Sequence, residues 1–180
     1  MSQYVAFLRG INVGGANVIK MEDLRDAFDD IGCLNVHTVL ASGNVVFDAA
    51  EDDPAEMTRL AEDGLTAAFQ KEIGVILRTT EQIRSLIEAD PFADVDGPGL
   101  KLHISFMADA PSTHLNLPYD SPYGDFRILE PIGLDLPIVA QPDSRFTNAM
   151  KLIDKEFGPK VTTRGWSTVL KIDKLASAES

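Results

Sequence analysis

The sequence is poor in several residue types that specific chemistries require. It has one cysteine, one tryptophan and three histidines in 180 residues, and only 16 basic side chains against 28 acidic ones. The single cysteine, Cys33, excludes an internal disulfide and a thiolate metal cluster. A chain without disulfides fits a reducing, cytoplasmic setting. His37, His103 and His114 stand singly, without the H-x-x-x-H spacing or cysteine partners of a zinc site. His37 and His103 are expected on the solvated faces of strands. The formal net charge of −12 argues against nucleic acid and anionic membranes as partners, because such affinity comes from Lys and Arg neutralising phosphates. A basic pocket for a small anion stays open, since exposed charges beyond about 8–10 Å are largely screened at physiological salt. No apolar run approaches the roughly 20 residues of a membrane span. Val5–Leu8 is too short for a signal segment and is cut by Arg9. No G-x-S-x-G elbow supports a serine hydrolase.

What is present begins with Tyr4–Leu8, five apolar or aromatic residues followed at once by Arg9 and then by Gly10, Gly14 and Gly15. Such a run reads as a strand buried on both faces, opening into a loop whose glycines allow positive φ or a close approach. Leu24, Ala27, Phe28 and Ile31 have helical spacing, stopped by Gly32. Val36–Leu40 and Val45–Phe47 predict a hairpin through residues 41–44. Asp53-Pro54-Ala55-Glu56 is a helix start, with the helix ending at Gly74, and Val75–Leu77 is the next strand. This order predicts an α+β fold: an N-terminal ferredoxin-like βαββαβ subdomain over residues 1–79, with both helices on one face of an antiparallel sheet. A C-terminal α+β subdomain, residues 80–180, packs against it. The second subdomain comprises a helix from Thr80 to Ala89, strands at 101–106, 126–129, 136–139 and 161–163, a helical stripe from Phe146 to Phe157, and a closing helix from Trp166. Residues 108–125 are expected to be a long loop.

Two stretches carry candidate chemistry. Gly10 and Gly15 have the glycine spacing of a phosphate loop, but Ala16-Asn17 stand where Lys-Ser or Lys-Thr is needed, and the Rossmann pattern fails as well. Two readings are open for this turn: backbone N–H groups cradling an anion beside Arg9, Asn12 and Lys20, or a structural crossover. Thr162-Thr163-Arg164 offers two hydroxyls and a guanidinium ahead of a helix, the groups that hold carboxylate or phosphate. Its plain alternative is Thr163 as N-cap and Arg164 as a solvated first-turn residue. Trp166 reads first as packing, given its spacing with Val169 and Leu170. Ser42 and Asn44 are explained by a hairpin turn and are also placed to orient a ligand. Asp29-Asp30 and Glu51-Asp52-Asp53 read as solvated helix ends. No cofactor is implied and no acid–base pair can be nominated, so whether the protein is an enzyme stays open.

The leading expectation is a pocket for a small anion, phosphate-bearing ligands included. Arg9, Gly10, Asn12, Gly14, Gly15 and Lys20 form one side, Thr162, Thr163, Arg164 and Trp166 the other, and Ser42 and Asn44 orient the ligand. The alternative is a protein-interaction or self-association module using the open face of a ferredoxin-like sheet. RNA binding on such a sheet is disfavoured by the charge and by the lack of a basic, aromatic-rich run on the Val45–Phe47 strand.

The combination Y-V-A-F-L-R-G-I-N-V-G-G with Lys20-Met21-x-x-Leu24-Arg25, Ser42-Gly43-Asn44-Val45-Val46-Phe47 and Thr162-Thr163-Arg164-x-Trp166-x-Thr168-Val169 resembles the bacterial domain-of-unknown-function family sixteen-ninety-seven, over nearly the whole chain. That family usually reads Arg-Asn-Trp-Asn-Thr at the last motif, where this chain has Gly165 and Ser167. The resemblance implies an α+β fold with a ferredoxin-like part, and no mechanism.

Overall fold

The structure is a computed structural model that describes residues 1–12, 18–110 and 113–178; Gly14 and Gly15 lie outside the described residues. Two compact units are present, Met1–Arg84 with Leu170–Ser180, and Ser85–Val169.

In the first unit the chain runs β1 (Ser2–Leu8), α1 (Met21–Ile31), β2 (Leu34–Thr38), β3 (Asn44–Ala49), α2 (Pro54–Phe69), β4 (Val75–Thr79) and α3 (Thr80–Glu88), which crosses the boundary at residue 84. The four strands form an antiparallel sheet in the order β2-β3-β1-β4, the connectivity of the split βαβ arrangement. Strand alternation sends Tyr4, Ala6 and Leu8 to one face with Val45, Phe47 and Leu77, where Leu24 and Phe28 of α1 and Met57 and Leu65 of α2 complete the core. The Phe28 and Phe47 rings lie 5.0 Å apart. Gly64 interrupts α2 at a cost in helix propensity of about 1 kcal/mol. A Cβ there would come within 2.4 Å of Ile31 Cγ1, so the glycine lets α1 approach closely.

α1 stops at Gly32, at φ 94°. α2 begins as expected, with the Asp53 carboxylate accepting from the Ala55 N–H at 3.0 Å. It does not run on to Gly74. Gln70 takes the left-handed conformation at φ 54° and its N–H closes on the Thr66 carbonyl, so the helix ends at Phe69.

The opposite sheet face, with Val5, Phe7, Val46 and Ile76, is not open. The first three are 0% exposed and Ile76 is 4% exposed.

The second unit holds β5 (Lys101–Met107), β6 (Tyr119–Asp120), β7 (Phe126–Ile128), β8 (Asp135–Ala140), α4 (Thr147–Phe157) and β9 (Val161–Gly165), in an antiparallel sheet ordered β6-β7-β8-β5-β9. β6 falls inside the stretch expected to be loop. α4 covers the sheet face bearing Met107, Leu136, Ile138 and Val161 through Ala149 and Ile153. α5 (Trp166–Ala178) begins in this unit and continues into the first.

Candidate functional site

The two halves of the expected pocket fall in different units and are taken separately. At the exit of β1, the Leu8 N–H donates to the Gly43 carbonyl at 2.8 Å and the Arg9 N–H to the Gly74 carbonyl at 2.9 Å. The strand end is thus tied to the β2–β3 turn on one side and to the start of β4 on the other. Arg9 is half-buried. Gly10 follows, exposed and at φ 68°, and Ile11 is buried.

Asn12, at φ 53°, uses its whole side-chain amide. Nδ2 donates to the Ile19 carbonyl at 3.0 Å and the Ala41 carbonyl at 2.8 Å, and Oδ1 accepts from the Ile19 N–H at 2.8 Å. One residue therefore clips the two ends of the glycine loop together and pins them to the hairpin turn. Lys20 is exposed, in extended conformation ahead of α1, and its carbonyl accepts from the Leu24 N–H.

Ser42 is exposed at the turn and Asn44 is completely buried. Asn44 Nδ2 donates to the Val39 carbonyl at 2.8 Å and to Ser42 Oγ at 2.9 Å. The structure thus brings Asn12 and the Ser42–Asn44 turn together at the end of β1, where they hold backbone in place.

In the second unit, Thr162, Thr163 and Arg164 lie on β9, which leads directly into α5 at Trp166. The register pairs Phe106 with Thr162, Ser105 with Thr163 and Ile104 with Arg164. Neither Thr163 as N-cap nor Arg164 in a solvated first turn describes them, because strand pairing continues to Gly165. Alternation puts Thr162 and Arg164 on one face, 6% and 9% exposed. Arg164 Nη1 donates to Thr162 Oγ1 at 2.7 Å and to the Thr163 carbonyl at 2.9 Å. Burial lowers the guanidinium pKa to about 10, which leaves it charged at neutral pH. Thr163, on the other face, shares a 2.6 Å hydrogen bond with Ser105 Oγ. Trp166 packs edge-on against Phe92, with ring centroids 5.3 Å apart, as its packing reading requires.

His103 departs from the solvated strand histidine. Its ring stacks on Phe146 at 3.8 Å, under the face that α4 covers. Arg78 was not singled out from the sequence. It is 6% exposed on β4, and its Nη1 donates to the Leu77 carbonyl at 2.8 Å. Its signal was there to read: Val-Ile-Leu-Arg closes an apolar run with an arginine, as Phe7-Leu8-Arg9 does. Burial pushes the Cys33 thiol up to about 11, with Asp29 adding to the shift, so it is no ready nucleophile. No group of three His, Cys, Asp or Glu side chains among the described residues converges as a metal site.

The family model for a protein of unknown function, DUF1697, matches residues 1–121. The chain belongs to the DUF1697 family. The matched span contains the glycine loop and the Ser42–Asn44 turn and ends before β9, so it is shorter than the resemblance read from the motifs. No curated protein matches this DUF1697 chain. Among solved structures it is similar to the conserved bacterial protein SP0830 from Streptococcus pneumoniae, at 21% identity and a TM-score of 0.71, over 96% of this chain and 97% of that one. At that identity the likeness is one of fold; the described residues of this chain form an α+β arrangement of two antiparallel sheets and five helices. Among the described residues no helix is long and apolar enough to cross a membrane.

Proposed function

We propose that this DUF1697 protein binds a small anionic ligand, with Arg164 as the charged contact and Thr162 as its hydroxyl neighbour. The observation that carries the reading is a guanidinium 9% exposed on the same strand face as a buried threonine. Holding a charge out of water is costly, and a charged acceptor in a low-dielectric site returns part of that cost. A carboxylate or phosphate oxygen accepting from a guanidinium makes a charge-assisted bond, roughly twice as strong as one between neutral groups. Arg9, Gly10, Lys20, Ser42 and Asn44 belong to the other unit, and their participation is a separate question with its own variants.

The test is a thermal-shift titration with inorganic phosphate, citrate and a panel of phosphorylated metabolites. A ligand at 100 times its Kd adds about 2.7 kcal/mol of stability and raises Tm accordingly. The shift is expected to disappear in Arg164→Lys, which keeps the charge but not the two-pronged geometry. A concentration-dependent shift that survives intact in Arg164→Lys and Arg164→Ala, both folded by circular dichroism, overturns the assignment.

A further inference from the structure

Far along the chain from the glycine loop, the second unit holds a cleft of about 750 Å³ between the 90–100 segment, the β6–β7 hairpin and the end of β8. That volume lies in the range of small-molecule sites. Its lining has two parts. Leu100, Phe126, Leu129 and Val139 supply apolar surface, and the carboxylates of Asp90, Asp94, Asp96, Asp120 and Glu130 stand around it on exposed residues. Arg127 is the basic side chain of the lining and sits 3.4 Å from Asp120. Five carboxylates against one guanidinium leave the lining with a formal charge of −4. Pro91, Pro98, Pro118 and Pro142 contribute to the walls, and their fixed φ limits the conformational freedom a ligand must remove.

We infer that this cleft binds a small organic cation, an ammonium or guanidinium group carried on an apolar body. The apolar surface sets the body and the acidic rim sets the charge. An anion is repelled by the same rim. A bare metal ion does not fit, because no three of these carboxylates group as ligands. A second copy of a chain with a formal charge of −12 is repelled by it too. The inference is independent of the anion reading, since it uses other residues and the opposite ligand charge.

The experiment is a two-dimensional amide NMR titration of the full chain with three matched probes: 3-phenylpropylamine, 3-phenylpropanol and 3-phenylpropionate. Spermidine serves as a cation without an apolar body. The amine is expected to shift the amides of Leu100, Phe126 and Val139, to bind at least tenfold tighter than the propionate, and to weaken as salt rises. In a variant carrying Asp94→Asn, Asp96→Asn and Glu130→Gln, the amine should bind at least fivefold more weakly while the alcohol is unchanged. Equal binding of amine and propionate, shifts confined to other parts of the chain, or no shift at millimolar amine each overturn the inference. Spermidine binding as tightly as the phenylpropylamine does so as well, because charge alone would then account for it.

Discussion

At the scale of single residues, Asn12 and His103 make the sharpest claims. Asn12 spends both ends of its amide on backbone 7 and 29 residues away. Removing it leaves part-buried polar groups unpaired, at about 1–3 kcal/mol. Asn12→Ala should lower the unfolding free energy by that amount in urea. Asn12→Asp, which keeps the acceptor for the Ile19 N–H, should fall between Asn12→Ala and wild type.

His103 is held below the ordinary histidine pKa chiefly by burial, with the charge of Lys101 adding to the shift, and its Nδ1 is buried without a hydrogen-bond partner among the described residues. The folded state disfavours the charged ring relative to the unfolded chain, which protonates near pH 6.5. The unfolded state therefore binds more protons as pH falls below about 6.5, and stability drops. The contribution of His103 should be fully present above that pH and be lost progressively below it. Unfolding free energies of wild type and His103→Phe, compared between about pH 7.5 and pH 5.5, should diverge in this sense. Parallel curves would refute it. The sequence misleads here for a physical reason: alternation with Leu102 and Ile104 assigns His103 to a polar face, and the distant Phe146 and α4 turn that face into an interior.

At the scale of elements, the β2–β3 turn is the junction on which the end of β1 depends. Gly43 sits at φ 75°, and a Cβ there would lie 2.7 Å from Ile11 Cδ1 and 3.0 Å from Leu8 Cβ. Gly43→Ala combines left-handed strain with overpacking and should cost about 2–3 kcal/mol. The cost is measurable in urea and should come with loss of amide protection at Leu8, whose N–H rests on the Gly43 carbonyl. Element boundaries were legible where a local signal exists: Asp53-Pro54 opens α2, and Gly32 closes α1. Ends set by other means were not. Gln70 closes α2 in a conformation glycine would adopt more easily, whereas Gly74, the stop its sequence suggests, lies outside the positive-φ glycines. β9 runs two residues beyond Thr163 because its partner β5 continues, and a partner strand leaves no mark in the local sequence. The same limit hid the acidic cleft, whose lining comes from residues 90 to 142 and converges only in the fold.

At the scale of the molecule, the sequence suggests a break near residue 79, and nothing local announces that the chain from Leu170 returns to the first unit. That return buries Ile172 and Ala176, at 0% and 1% exposure, and sets Ser177 Oγ 3.2 Å from Arg84 Nη2 and Asp173 Oδ1 3.9 Å from Arg84 Nε. Burying one isoleucine side chain contributes about 1.5–3 kcal/mol. Shortening the chain after Val169 should therefore lower the stability of the first unit by about 2 kcal/mol or more. Hydrogen exchange would show faster exchange around Arg84, which the returning helix contacts, and unchanged rates there would contradict the placement.

A unit assembled from 1–84 and 170–178 also has a temporal consequence. On the ribosome, residues 85–169 emerge as one uninterrupted stretch, and domains generally fold as units during synthesis. The middle of the polypeptide can reach its final arrangement while the flanking body still waits for its closing helix, so the piece started first is the piece completed last.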